Sequence, residues 1–428
     1  MEIKELYQLY TNSVGVNTDT RTVSKGEIYF ALRGDRFDGN AHAFEALDKG
    51  ASYVVFDNGD YHIDERTLLV DHVLETLQEL AHYHAQQYKN PIIGLTGSNG
   101  KTTTKELLHL VLSTRYNVNT TAGNYNNHIG MPLSILKGKL DQDFWLIEMG
   151  TNAPGEIGLL CDIATPDYGL ITNIGAAHLE KLIDLDGVFK EKMSLFRSVI
   201  ENEGLIFLNE SDPYLNKFKP DSNLDVITYN SHQCPYGQLE LASQDRLLEF
   251  RLTDEQDEVY MIRTKLVGSY NQVNVSAALT VGSYFNVDLH KAIEAIASYE
   301  PDNMRSQMKR TDNNLLLLDN YNANPSSMKA SIQSFIESDH VNPLCIIGDM
   351  LELGTLADQY HVEVIDLLID QDIEFYVVGD CFSKISNSAF PNTEALRNRL
   401  IDLGPITGRT ILLKGSRGVA LEKLIDIL

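Results

Sequence analysis

A chain of 428 residues is too long for one ordinary core, and at ~150 residues per domain it implies about three. Its formal net charge of −25, with no clustered run of Lys and Arg, argues against a nucleic-acid partner and leaves any bound nucleotide dependent on metal ions and a few placed cations. No run of ~18 apolar residues occurs, the opening MEIKELYQLY lacks the apolar core of a signal peptide, and Cys161, Cys234, Cys345 and Cys381 have neither CxxC nor paired spacing; a cytoplasmic protein with reduced thiols and no membrane partner is expected.

Residues 1–90 hold short mixed elements and read as a small α/β module. In DTRTVSKGEIYFALRGDRFDGNAHAFEALDKG, residues 19–50, a strand is expected over 28–32, turns at Gly34 and Gly39, and a helix from 41 that stops at Gly50. Thr20, Arg21, Arg33, Arg36 and Asp38 form either a polar binding rim or a solvated loop. A helix over 74–88 leads to Asn90 and Pro91, which mark the start of a second domain over 91–303.

That domain opens on GLTGSNGKTTTKELLHLVLSTR, residues 94–115, which reads as strand, phosphate loop and helix. Leu107, Leu108, Val111 and Leu112 fall on one helical face, so the helix begins near Lys101 and aims free N–H groups and its positive dipole end into the loop. Gly97 and Gly100 permit a close wrap, Lys101 reaches terminal phosphates, and the Thr102 hydroxyl suits Mg²⁺. The usual phosphate loop has four residues between its glycines; here two separate Gly97 from Gly100, and Leu95 stands where the first would fall.

Farther on, TTAGNYNNHIGMPLSIL (120–136) is a polar turn that is either structural or a ligand loop, through Asn124, Asn126 and Asn127. A strand over 144–147 ends in Glu148, and one over 168–172 runs into Asn173, Gly175 and His178; groups beyond the carboxyl ends of parallel strands belong to the ligand crevice. In VFKEKMSLF, residues 188–196, Lys192 sits among apolar neighbours, either paired or modified there or snorkelling to water. A strand over 205–209, an antiparallel meander over 238–266 and a helix within 267–285 follow, with Asn271 and Asn274 at the helix start to cap it or meet a base edge.

Residues 304–310 read as a linker into a third domain over 304–428. Strands are expected at 315–318, 344–347, 375–378 and 410–413, with helices from 326 and 356 and a last one from 419; such βα repeats predict a parallel sheet with right-handed crossovers. DNYNANP, GDMLELG and KGSRG lie just past these strands. A phosphate loop, an acid and a histidine on neighbouring strand ends, and a separate domain with polar strand ends suggest an ATP enzyme closing over a second substrate, with kinase, ATPase and ligase all open.

TGSNGKTTTK, GNYNNHIGMPLSIL, EMGTNAPGEI, TNIGAAHLE, DNYNANPSSM, GDMLELG and KGSRG, in this order, resemble the Mur ligases of peptidoglycan synthesis over essentially the whole chain. The shortened loop is the form that family uses. No DNPR motif of the diaminopimelate-adding member is present, and YNANP with GDMLELG favours the dipeptide-adding one. The resemblance implies an α/β protein of three domains: a small N-terminal module binding a UDP-sugar, a central parallel-sheet ATPase-like domain with antiparallel additions, and a Rossmann-like C-terminal domain. The expected reaction is ATP-driven amide formation between UDP-N-acetylmuramoyl tripeptide and D-alanyl-D-alanine by a monomer, with the third peptide residue, diaminopimelate or lysine, left open.

Carried over residue by residue, the family pattern puts ATP on Gly97, Ser98, Asn99, Gly100, Lys101, Thr102 and Thr103. It makes Thr102 and Glu148 ligands of the ATP-bound Mg²⁺ and His178 a ligand of a second Mg²⁺. Lys192 lies where the family carries a lysine carbamylated by CO₂, which would turn a costly cation into an anionic metal ligand. Lys101, Glu148, His178 and Lys192 form the expected catalytic set. Asn274 matches the adenine contact, Arg305 and Asp319 the ribose and phosphate contacts, and Thr20, Arg21, Asn126 and Asn127 the nucleotide-sugar side. Asn322, Asn324, Asp349 and Arg417 would lie near the incoming dipeptide. One departure is that Leu318 precedes Asp319 and Asn320 follows it, where the family often has two acids.

Overall fold

The structure, a computed structural model, describes residues 1–220, 224–245, 247–302 and 304–428. Short strands Gly15–Asn17, Glu27–Phe30, Tyr53–Phe56 and Thr67–Leu69 pair in parallel, in that order, as the N-terminal sheet. Ile28, Tyr29, Phe30, Val54, Val55 and Phe56 are all buried, so these strands are apolar on both faces, as strands of covered parallel sheets are. Helix Val73–Gln87 then leads to the central domain.

The central sheet has six parallel strands, ordered Asp225–Tyr229, Leu205–Asn209, Tyr168–Ile171, Ile92–Thr96, Phe144–Glu148 and Val118–Thr120. From Ile92–Thr96 the chain goes to the edge strand Val118–Thr120, returns to Phe144–Glu148 beside its start, and then crosses to Tyr168–Ile171 on the other side. Beyond the carboxyl end of Ile92–Thr96 lies therefore a topological switch point, where such sheets bind ligands. An antiparallel sheet of Gln233–Cys234, Gly237–Ser243, Glu249–Thr253 and Val259–Arg263 follows, with Phe250 and Leu252 buried and Arg251 exposed between them, the alternation that the sequence predicts.

The C-terminal sheet runs Gln307–Arg310, Leu315–Asp319, Thr410–Lys414, Leu344–Gly348 and Glu374–Val378. Four strands are parallel, but the expected linker over 304–310 contains the antiparallel edge strand Gln307–Arg310. Its Lys309 and Arg310 are exposed, a pattern that suits an edge and hides it from hydrophobic searching. The expected boundary at residue 303 falls outside the described residues. Two short 3₁₀ turns, Arg417–Val419 and Leu421–Leu424, replace the helix expected from 419, because Ala420 between them is left-handed at φ +58°. Helices Asp380–Ile385 and Thr393–Leu403 were not anticipated, although Asn392 caps the second by accepting the Ala395 N–H. Among the described residues no helix is long and apolar enough to cross a membrane.

Trp145, wholly buried, joins the central sheet to the helix before it: its ring stacks on Tyr88 at 4.0 Å between centroids and lies 5.4 Å from His84. Trp145→Ala should destabilise the protein by about 3–5 kcal/mol in urea unfolding. A loss under about 1 kcal/mol would mean that this seam repacks without the indole.

Candidate active site

The phosphate loop is held by the neighbouring strand end before any ligand is considered. Ser98 N–H donates to Asn173 O at 3.0 Å and Asn99 N–H to Asn173 Oδ1 at 2.9 Å, while the Thr172 hydroxyl donates to Asn99 O at 2.6 Å. A Cβ added at Gly97 would lie 1.8 Å from Thr172 Oγ1, and one at Gly100, φ +76°, would lie 2.7 Å from Asn274 Oδ1; close backbone approach requires both glycines. Helix Lys101–Ser113 starts at once, and no side chain caps it, so its first N–H groups stay available to an anion. Lys101 Nζ folds back to donate to Gly97 O at 2.7 Å.

Glu148 ends the adjacent strand and is 1 % exposed. Its Oε1 accepts from the Thr102 hydroxyl at 3.2 Å and from Asn126 Nδ2 at 2.8 Å. Its Oε2 is buried without a hydrogen bond and lies 3.7 Å from Lys105 Nζ. A buried carboxylate oxygen without a donor, beside a hydroxyl and a phosphate loop, fits a divalent cation with oxygen ligands. Lys105 was not anticipated, yet it stands one helical turn beyond Lys101 in the same motif; it also donates to Thr121 O at 2.8 Å, tying down the loop that carries Asn126.

Lys192, on helix Leu185–Glu201, is 1 % exposed, and no carboxylate forms an ion pair with it among the described residues. Burial, with the Lys101 charge adding to it and Glu191 opposing, pushes its pKa well below the ordinary lysine value. Glu191 directs its carboxylate elsewhere, accepting the N–H groups of Gly155 at 2.7 Å and Ile157 at 2.8 Å. Lys101 is likewise lowered, chiefly by desolvation and further by Arg305, with Glu148 acting the other way.

The opposite wall comes from the C-terminal strand ends and encloses with the first a cleft of about 660 Å³. Asp319 Oδ2 pairs with Lys414 Nζ at 2.8 Å and accepts from the Tyr270 hydroxyl at 3.3 Å. The Arg305 guanidinium lies 3.7 Å over the Tyr321 ring, and Arg417 lies 5.5 Å from the same ring. Among the contacts that join the two walls are these. Asn324 Nδ2 donates to Asn99 Oδ1 at 2.7 Å, Ala176 N–H donates to Ser326 Oγ at 2.9 Å, and His178 Nδ1 lies 2.5 Å from Glu352 Oε2. The His178 contact holds the Glu352 carboxyl below the usual range.

Of the residues singled out from sequence, Ser98, Asn99, Gly100, Lys101, Thr102, Thr103, Asn126, Asn127, Glu148, His178, Asn274, Arg305, Asp319, Asn322 and Asn324 line this one cleft. Gly97 and Lys192 do not line it. Asn274 buttresses the loop, accepting from the Thr104 hydroxyl at 3.1 Å and donating to Asn271 Oδ1 at 2.8 Å. Thr20 and Arg21 are not brought to the cleft: Arg21 is exposed and paired with Asp19 at 2.6 Å. Nor is Asp349, which is buried in its own domain and accepts the N–H groups of Cys381 at 2.8 Å and Phe382 at 3.1 Å. Asp349, His361 and Cys381 cluster like metal ligands, but His361 Nε2 accepts the Met350 N–H at 3.0 Å and Nδ1 contacts Ala357 O at 2.6 Å, leaving neither nitrogen for an ion. The acid that GDMLELG delivers to the cleft is Glu352. Lys414, last in the apolar strand TILLK, had the strand-end signal; Tyr270, Tyr321 and Glu352 had none beyond their motifs.

Comparison with known proteins agrees with this arrangement. Residues 13–85 match the Mur ligase family, catalytic domain, 95–282 the Mur ligase middle domain, and 304–417 the Mur ligase, glutamate ligase domain. A UDP-N-acetylmuramoyl-tripeptide--D-alanyl-D-alanine ligase of Bacillus subtilis is 32% identical, covering 96% of this chain and 92% of that protein. The one of Escherichia coli is 32% identical, with 96% and 93% covered. A crystal structure of MurF ligase from Thermotoga maritima in complex with ADP superposes with a TM-score of 0.85 at 26% identity, over 98% of this chain and 97% of that one. A phosphate loop and an orphaned carboxylate oxygen facing a second α/β domain, matched over nearly the full length by these ligases, place the chain in the Mur ligase family.

Proposed function

We propose that this chain is an ATP-dependent ligase that joins D-alanyl-D-alanine to UDP-N-acetylmuramoyl tripeptide in cytoplasmic peptidoglycan precursor synthesis. The observation that carries the reading is the single cleft in which the phosphate loop and Glu148 face the C-terminal strand ends, in a chain matched nearly end to end by ligases of that name. On this reading residues 1–90 hold the UDP-sugar, 91–303 bind ATP, and 304–428 present the dipeptide and close over the nucleotide.

A carboxylate is a poor electrophile. The terminal carboxylate of the tripeptide therefore attacks the γ-phosphorus of ATP, releasing ADP and forming an acyl phosphate. The dipeptide amine attacks the acyl carbon, and the tetrahedral intermediate expels inorganic phosphate with loss of a proton to give the amide. Bringing two anions together in the first step needs positive charge placed in advance. Lys101 and Arg305 supply it from opposite sides of the cleft, and the first-turn N–H groups of helix Lys101–Ser113 bind the phosphates. Thr102 and Glu148 would hold Mg²⁺, whose chemistry is to neutralise charge between carboxylate and phosphoryl oxygens. His178 and a carbamylated Lys192 would hold a second ion; burial lowers the pKa of Lys192 and so favours the neutral amine, the form that adds CO₂ with release of one proton. Asn126 orients Glu148 from the tripeptide side, and closure of the C-terminal wall excludes water that would hydrolyse the acyl phosphate.

Phosphate release from MgATP and UDP-muramoyl tripeptide should require D-alanyl-D-alanine and yield a pentapeptide product by mass. Release that responds to a single amino acid instead would assign another member of the family. Lys101→Ala should lower turnover by at least ~10², and near-normal turnover would remove the phosphate-loop assignment. Lys192→Ala should lose activity and recover part of it with added short carboxylates; no recovery with any of them would count against the carbamate.

A further inference from the structure

His178 and Glu352 come from different domains, and both backbones are held in left-handed conformations that residues with a Cβ rarely adopt, φ +54° and φ +64°. Glu352 is carried by a rigid loop: Leu351 N–H donates to Ser416 Oγ at 3.0 Å, Leu353 is 2 % exposed, and the Glu352 carbonyl accepts the N–H of Glu180, two residues beyond His178, at 3.0 Å. That backbone bond fixes the segment around His178, and the side chains then meet with Oε2 2.5 Å from Nδ1. Nδ1 is buried, and among the described residues no group meets it with hydrogen-bond geometry, so the Glu352 contact is a close charge pair. An ionised carboxylate this close demands a proton on Nδ1, since two lone pairs facing one another repel. A neutral imidazole protonated at Nδ1 offers its lone pair at Nε2, and His178 lines the cleft.

We infer that Glu352 is a positioning residue that reaches from the C-terminal domain to fix the Nδ1–H tautomer of His178, so that the histidine becomes a competent Nε2 metal ligand only when the two domains close. The inference deepens the proposed reading of His178 as a ligand of the second ion and rests on it. Carboxylate groups behind metal-bound histidines set ring orientation and raise ligand basicity, and losing one commonly weakens metal binding ten- to a hundredfold. Here the carboxylate belongs to the moving partner, so metal binding and closure favour one another.

The test uses the full chain, with Glu352→Gln, Glu352→Ala and His178→Ala beside the wild type. Glu352 is half exposed, and its replacement leaves the core untouched. In ¹⁵N-histidine-labelled protein the His178 resonances, assigned by their absence from His178→Ala, should report a proton on Nδ1 in the wild type and a mixed or reversed tautomer in Glu352→Ala. Titration of Mn²⁺ by EPR, with a non-hydrolysable ATP analogue present, should show the weaker of two sites loosened roughly tenfold or more in Glu352→Ala, and in Glu352→Gln by a smaller factor. An unchanged tautomer in Glu352→Ala overturns the inference. So does Mn²⁺ binding that responds to His178→Ala but not to Glu352→Ala. Binding indifferent to His178→Ala overturns instead the underlying assignment of His178 as a ligand, and the inference falls with it.

Discussion

Crowded positive charge in a dry cleft is the constraint on which the rest of this molecule depends. Burial lowers the pKa of both Lys101 and Lys192; the Lys101 charge adds to this at Lys192, and Arg305 adds to it at Lys101. Such an arrangement is costly unless anions arrive. In a chain of net charge −25 these cations are also a local exception, so the protein's overall field does not draw a nucleotide in. Binding has to come from close contacts, and the fold supplies them by ending a fully buried central strand in a loop whose two glycines admit the backbone to within touching distance of Thr172 and Asn274.

The same constraint explains why the site is divided between domains. A cleft that permanently buried ATP, a sugar nucleotide and a dipeptide could not exchange them, whereas one assembled at closure can. Buried apolar residues of both domains, among them Leu182, Met328 and Leu353, share one cluster, and polar contacts cross the cleft as well, including an amide pair between Asn99 and Asn324, a hydroxyl of Ser326 on the backbone of Ala176, and the His178–Glu352 contact. Polar contacts of this kind are individually worth about 1 kcal/mol or a little more and break readily, unlike the buried apolar seam around Trp145.

Much of this was legible in the sequence because it rests on local rules. Glycine spacing and helical periodicity located the loop and its helix, and the rule that ligands gather beyond strand carboxyl ends located Glu148, His178 and Asp319 before any coordinates. The limit of such rules is that a polar loop does not say which domain it faces: Thr20, buried in its own module, and Arg21, exposed and paired with Asp19, lie outside this cleft. Asp349 and Glu352 show it again. Both lie in GDMLELG, yet one caps a helix inside its own domain and the other spans the cleft, a difference set by a left-handed residue and by docking against residues 178–180. The edge strand Gln307–Arg310 escaped notice for a different reason: edges are protected by charge, which is also what linkers look like.

Glu148 carries the argument one step further. Its two oxygens are treated differently: Oε1 is fixed by Thr102 and Asn126, and Oε2 is left bare with Lys105 at 3.7 Å. Were both oxygens hydrogen-bonded, a cation would have to displace donors before it bound; were neither, the carboxylate would be free to turn away. Fixing one oxygen aims the other, while Lys105, held off by its bond to Thr121 O, offsets the buried charge without occupying the place of an ion. Since Asn126 belongs to the loop over 120–136 and Thr102 to the phosphate loop, the orientation of this single carboxylate depends on both segments.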